Sequence, residues 1–334
     1  MQRAQAAAGA APPALALVYP CDVLALQAAA RIADLGLARP LLVGPREGIE
    51  RAAGAAGVDV RQFEIVEAGA APGSSAESAA KRAATGAATG AVTSVDTGAN
   101  TSARASAERA CMLARGGAVA ALMKGSLHSD ELLRAVAHRH HGLHGKTRIG
   151  HTFVFDLPRY PKLLALTDCV VNENPKLPTK RDLITTALQV LAAAGVDSPK
   201  VGIVAAVETV NPSMPATLDA QALVALARQG AWPGAVVEGP FGFDNAISAE
   251  SARIKGMSSQ VAGDADLLLM PDLNAGNMLY KSFIYIGGGA CAGLVTGTLV
   301  PVVLTSRADT LESRIASVAL AVLAAAHAAP NAPT

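Results

Sequence analysis

Aromatic side chains are scarce: six Phe, four Tyr and one Trp make up 3% of the 334 residues. Hydrophobic residues reach 51%, much of it Ala. The core is therefore aliphatic, with Ala-rich helices packed closely on Val, Ile and Leu strands. Cysteine is also sparse. Cys21, Cys111, Cys169 and Cys291 lie far apart and form no CxxC pair, which argues against a zinc site or a disulfide framework and fits a reducing cytoplasm. Neither sign of charge dominates: the net charge is +1. No global field attracts nucleic acid or an anionic membrane, so any attraction to anions is local. Apolar runs of 18 or more residues without Gly or charge are missing, so no membrane span is expected. The opening MQRAQAAAGAAPPALALVYP lacks the apolar run of a signal peptide and contains two adjacent prolines. It reads as a disordered tail leading into a first strand.

What is present is alternation. A chain of this length suggests roughly two domains and buries about three quarters of its unfolded surface. Strands are expected at Leu15–Tyr19, Pro40–Val43 and Phe63–Val66, with helices at Val23–Leu35 and Glu47–Ala56 between them. This βαβαβ order implies a parallel sheet. The stretch from Ala68 to Ala105 breaks the pattern with Ala, Gly, Ser and Thr; Glu77–Ala84 reads as helix and Thr85–Thr101 as a loose surface excursion. The alternation then resumes to the C-terminus and ends in a long helix, Thr310–Ala326. Thr152–Asp156 and Leu163–Thr167 are joined too briefly for a helical crossover, so an antiparallel pair is expected. A domain boundary falls near residue 150, with 1–150 as the first α/β domain, completed by 305–330, and 151–304 as the second.

Two apolar segments, Leu267–Met270 and Pro301–Thr305, end abruptly in polar residues. Pro271, Asp272, Asn274, Gly276 and Asn277 follow the first; Ser306, Arg307 and Asp309 follow the second. Both read as buried parallel strands whose carboxyl ends deliver polar groups to a ligand crevice. Arg307 at the mouth of a helix points to an anionic ligand.

Several blocks along the chain resemble the phosphate acetyltransferase and phosphate butyryltransferase family: LMKGSLHSDELLRAV (122–136), AVETVNPSMPATLDA (206–220), GPFGFDNAIS (239–248), RIKG (253–256), VAGDADLLLMPDLNAGNMLYK (261–281) and LTSRAD (304–309). They run from Leu122 to Asp309 in order, and no single short motif carries the likeness. The spellings KGSLH and FDNAIS resemble most the butyryl-type members and the acetyltransferase module fused to enoyl-CoA hydratase. The resemblance implies two three-layer α/β domains with a cleft between them, an isocitrate/isopropylmalate dehydrogenase-like architecture, and homodimerisation through the second domain. It also implies reversible acyl transfer between short-chain acyl-CoA and inorganic phosphate, with CoA as a substrate, no other cofactor and no metal.

The resemblance assigns roles residue by residue. Ser306 and Arg307 match the family's Ser-Arg pair: Arg307 for phosphate and transition-state charge, Ser306 for a hydrogen bond to an acyl or phosphate oxygen. Acetyl-type members have an aspartate six residues beyond this Arg, where this chain has Ser313. Asp309 and Glu312 are the nearby carboxylates, and their spacing equally reads as a capping box. Arg134, Lys124, Ser126 and His128 are substrate-binding candidates from the first domain, and Asp244, Asn245 and Asn277 from the second. Asn and Asp at such places also cap helices and turns. The histidines His138, His140, His141, His144 and His151 read as part of a polar loop, since no Asp, Glu or Cys completes a metal-ligand spacing.

Two other readings compete. A metal- and NAD(P)-dependent decarboxylating dehydrogenase would need clustered carboxylates, for which Asp244, Asp264 and Asp266 are the candidates. A non-catalytic CoA-binding protein would fit the missing carboxylate at Ser313.

Overall fold

The computed structural model describes residues 1–68, 98–306 and 309–328. The expected helix Glu77–Ala84 and most of the Thr85–Thr101 excursion lie outside the described residues, as does Arg307. The chain divides into two compact units, one spanning Pro13–Leu143 and the other joining Met1–Pro12 to the chain from His144 onward.

The chain opens with a short helix, α1 (Gln2–Ala8), where a disordered tail was expected. Ala4 and Ala8, four residues apart, are buried against the last helix of the chain. The Arg3 guanidinium donates to the Ala194 carbonyl at 2.6 Å. Small side chains one turn apart permit close approach without the apolar stripe that would have marked a helix in the sequence.

The Pro13–Leu143 unit contains β1 (Ala14–Val18), α2 (Val23–Asp34), β2 (Arg39–Gly44), α3 (Arg46–Ala56), β3 (Glu64–Glu67), α4 (Gly98–Arg115), β4 (Ala121–Lys124) and α5 (Ser129–Val136). Its strands run in the order β3-β2-β1-β4, all parallel. Asp22 starts α2 by accepting the Ala25 N–H at 2.7 Å, and Gly57 ends α3 in the left-handed conformation at φ 67°, the normal punctuation of a helix.

The second unit contains β5 (Gly150–Asp156), β6 (Leu164–Thr167), α6 (Leu177–Ala194), β7 (Lys200–Val204), α7 (Pro215–Arg228), β8 (Val236–Phe241), α8 (Phe243–Ile247), α9 (Ala249–Ile254), β9 (Leu267–Leu269), α10 (Leu273–Tyr285), β10 (Ala290–Thr296), β11 (Val302–Val303) and α11 (Leu311–Ala328). The strand order is β11-β10-β5-β6-β9-β7-β8. β6, β9, β7 and β8 run parallel, while β5 pairs antiparallel with both β6 and β10. The core is aliphatic with one aromatic row: Phe153 stacks on Tyr280 at 4.6 Å between ring centroids and Phe155 meets Phe283 edge-on at 5.2 Å.

The last helix belongs to this second unit and not to the first, as had been expected. α11 packs on β10, α6 and α1, burying Ile315, Val318, Leu320 and Val322. It is long and apolar enough to cross a membrane, a property it shares with core helices of globular proteins. Its buried face here rests on the sheet.

Candidate functional site

In the first unit, the carboxyl ends of β1 and β4 shape a pocket of about 440 Å³ lined by Tyr19, Cys21, Asp22, Arg51, Ala55 and Ser126, among others. Tyr19 takes φ 54°, a conformation that L side chains rarely adopt. It is held there by its neighbours. The Ser126 hydroxyl donates to the Tyr19 carbonyl at 2.8 Å and accepts the Cys21 N–H at 3.2 Å. Gly125 allows this approach, since a Cβ on it would lie 2.5 Å from the Val18 carbonyl oxygen. Burial, followed by the nearby Asp22 carboxylate, pushes the Cys21 thiol up to about 11, so it is not a nucleophile at neutral pH.

The other candidates of this unit divide. Lys124 is buried, and its ammonium donates to the carbonyls of Gly125 at 3.2 Å and Leu127 at 3.0 Å. It braces the loop after β4. His128 stands just before α5, with its N–H donating to the Glu131 carboxylate at 2.9 Å. Arg134 sits on the solvent face of α5, 3.7 Å from Asp130. In the histidine segment, the His138 ring accepts the N–H groups of His140 and His141 and stacks on His141 at 5.2 Å. Among the described residues no group of three or more His, Cys, Asp or Glu side chains is placed to hold a metal ion.

In the second unit, Ser306 and Asp309 come together after β11. The Asp309 carboxylate accepts the Ser306 N–H at 2.6 Å, while Thr310 Oγ1 accepts the Ser313 N–H at 3.2 Å. The helix is thus capped by Thr310, and the capping box between Asp309 and Glu312 is replaced by a turn closed on Ser306. The Ser306 side chain is exposed. Beneath it lies Arg314, 2% exposed, donating to the Ser306 carbonyl at 3.2 Å. Burial pushes the Cys291 thiol up to about 11, and the neighbouring Ser313, the residue at the acetyl-type aspartate position, opposes that rise.

The loop after β6 is the second polar centre. The Asp168 carboxylate, 2% exposed, accepts N–H groups from Val170, Val171 and Asn172 and the Asn172 side-chain amide, at 2.6–3.1 Å. Burial raises its pKa and those four donors oppose the rise. The same loop holds α10: Asn277 donates to the Cys169 carbonyl at 3.1 Å, and the Leu273 N–H to the Glu173 carbonyl at 3.0 Å. Gly276 presses on the Asp168 backbone, where a Cβ would come within 2.4 Å of the carbonyl oxygen. Asp168, Arg314, Tyr19 and Arg51 were not singled out from sequence. Asp168 had the same signal as its neighbours, a polar residue closing the apolar run Leu163–Thr167.

Asp244 and Asn245 part company. Asp244 is a surface carboxylate bonded to Ser251 at 2.8 Å and Lys255 at 3.2 Å. Asn245 is 0% exposed, and its amide atoms have no partner among the described residues. The carboxylates needed by a metal-dependent dehydrogenase do not assemble. Asp264 and Asp266 lie before the amino end of β9, each 2.8 Å from Lys162, whereas Asp244 follows the carboxyl end of β8.

Comparison with known proteins gives the chain a family. A family model described as Phosphate acetyl/butaryl transferase matches residues 1–322. The phosphate acetyltransferase of Rhizobium meliloti is 41% identical over 323 residues, 96% of this chain and 92% of that protein. The phosphate butyryltransferase of Clostridium acetobutylicum is 40% identical over 219 residues, 66% of this chain and 73% of that protein. Among solved structures, a branched-chain phosphotransacylase from Enterococcus faecalis V583 superposes with a TM-score of 0.73 at 25% identity, covering 94% of this chain and 99% of that one. With the model match running from the first residue through the Ser306 turn and into α11, the chain belongs to the phosphate acetyl/butyryl transferase family.

Proposed function

We propose that this chain catalyses the reversible transfer of a short-chain acyl group between coenzyme A and inorganic phosphate, by direct attack in a ternary complex. The observation that carries the proposal is the family match over residues 1–322, joined to a turn in which Asp309 fixes Ser306 at the start of a long helix.

The chemistry follows from the charges. In the direction of acyl-CoA formation the CoA thiol attacks the acyl-phosphate carbonyl. A free thiol with a pKa of about 8.5 is only a few per cent thiolate at neutral pH, so a cationic environment assists. Phosphate carries more than one negative charge and needs several donors, which an Arg fork and helix N–H groups supply. In this reading Arg307 binds phosphate and offsets the developing charge, Ser306 donates to an acyl or phosphate oxygen, and Asp309 orders the turn that carries both. The pocket beside Tyr19, Arg51 and Ser126 takes part of the CoA, with Arg51 offering charge to its phosphates.

The assay is phosphate-dependent CoA release from acetyl-, propionyl- and butyryl-CoA, run side by side on the wild type and Arg307→Ala. Activity in the wild type and its loss in the variant is the expected result. Full activity in Arg307→Ala removes the site assignment, and tight CoA binding without turnover replaces the enzyme with a CoA-binding protein. Arg51→Ala is expected to raise the KM for acyl-CoA with little change in kcat.

The protein is further proposed to act as a cytoplasmic homodimer. All four cysteines are free. Of the thirteen residues of α10 only Gly276 is buried, yet Met278, Tyr285 and the adjoining Ile286 are 65%, 70% and 87% exposed. Such an apolar face on an otherwise well-packed unit is the kind that a second copy covers.

A further inference from the structure

The β11–α11 turn contains an expensive arrangement that the reading above does not use. Arg314 is 2% exposed, and taking a guanidinium out of water costs several kcal/mol unless the site repays it. It begins the second turn of α11 and reaches back toward the helix start, as helical side chains do, to donate to the Ser306 carbonyl at 3.2 Å. From the other side the Asp309 carboxylate accepts the Ser306 N–H at 2.6 Å. Residue 306 is therefore gripped by a cation on its C=O and an anion on its N–H, at a position that is itself exposed.

We propose that Arg314 is a positioning residue for acyl transfer, forming with Asp309 a clamp of opposite charges that fixes the Ser306 backbone; this rests on the phosphate acyltransferase reading. Arg314 touches no substrate. Its effect comes through the Ser306 backbone, which Arg314 holds at the carbonyl while Asp309 holds the N–H. Donors that stabilise charge in the transition state act best when they are already in place, and looseness of about half an ångström is enough to lose the benefit. A buried cation is screened by salt much less than a surface one.

The test uses the full-length protein with Arg314→Met and Arg314→Lys. Met has a comparable volume and no charge, but removing one charge of a clamp can itself destabilise, so urea unfolding is followed beside activity; Lys keeps the charge and can still donate to the carbonyl. Arg314→Met is expected to lower kcat for phosphate-dependent CoA release by at least about tenfold, with the KM for acyl-CoA within about twofold of wild type. Arg314→Lys is expected to recover most of the loss. In parallel, amide hydrogen exchange in peptides covering 302–312 is expected to rise in Arg314→Met, with peptides of β7 and β8 unchanged. Unaltered kcat, loss that follows unfolding equally in both variants, or unaltered exchange at 302–312 overturns the proposal. A wild type without acyl transfer defeats the functional reading, and the exchange measurement then decides on the clamp alone.

Discussion

His151 makes a sharp thermodynamic prediction. It lies on β5, 0% exposed, with its ring 4.3 Å from that of Phe153, and neither ring nitrogen has a partner among the described residues. Burial alone lowers its pKa from 6.5 to about 3. The unfolded chain therefore takes up a proton near pH 6.5, while the folded chain refuses it until far lower pH. Stability is complete above pH 6.5 and falls as the pH drops toward 3, by about 1.4 kcal/mol per unit. Between pH 7.5 and 5.0 the loss from this one group is about 2 kcal/mol. The single Trp of the chain, Trp232, is buried in the same unit and donates to Thr185 at 2.9 Å, so its fluorescence reports the unfolding of that unit in urea. His151→Met removes the titrating ring at similar volume and is expected to match wild type within about 1.5 kcal/mol at pH 7.5. It is then expected to lose about 2 kcal/mol less than wild type on going to pH 5.0. Equal acid losses in the two proteins would refute the reasoning, because they would place the proton uptake elsewhere.

Three further outcomes can be checked directly. Gly276→Ala forces a Cβ to within 2.4 Å of the Asp168 carbonyl oxygen and is expected to cost about 3 kcal/mol by Trp232 fluorescence; a loss below about 0.5 kcal/mol would mean that α10 slides freely on the β6 loop. Lys162, then Lys200, hold the Asp264 carboxyl below its usual range, so its contribution is present above the unfolded value and lost as the pH falls through the folded one. Asp264→Asn should be weaker than wild type by about 1 kcal/mol at pH 7, a figure kept small because the carboxylate is half exposed, and the two proteins should converge in acid; a constant difference down to pH 2.5 would exclude the linkage. Ile286→Asp places a charge on a side chain that is 87% exposed and should convert a dimer into a monomer by light scattering. A wild type that is already monomeric, or a variant that stays dimeric, rules out α10 as the contact.

Much of the fold was legible because buried parallel strands read as unbroken apolar runs. Leu267–Leu269 stands inside the expected Leu267–Met270, and the short connection before Leu164 did signal the antiparallel pairing with β5. Helix ends followed side-chain chemistry: α10 starts at Leu273 because Asp272 accepts the Ala275 N–H at 3.0 Å. Two features were illegible for a common reason. α1 and the placement of α11 depend on each other across the whole length of the chain, and no local pattern records a partner 300 residues away. Ser306 and Asp309 were visible as polar residues closing a strand. Arg314, eight residues beyond Ser306, reads in sequence as an ordinary helix cation, and only the register of α11 turns it inward.

The same inward turn recurs at other strand ends. Lys124 closes β4 and braces the carbonyls of its own loop. Asp168 follows β6 and gathers four donors of the next turn. Asn277 donates to Cys169, and Arg314 to Ser306. Each is a strong hydrogen-bonding group spent on backbone at the carboxyl end of a strand, where helices and strands no longer satisfy it. A polar residue there has two uses, to face a ligand or to hold the loop that does, and sequence spacing is the same for both. Burial separates them: Lys124, Asp168 and Arg314 are each 1–2% exposed, whereas Ser306 is open. For a transfer between two bound substrates this division is economical, since direct attack requires donors that are fixed before the reactants meet. Substitutions at the buried members should therefore act on kcat through geometry and leave substrate affinity largely intact.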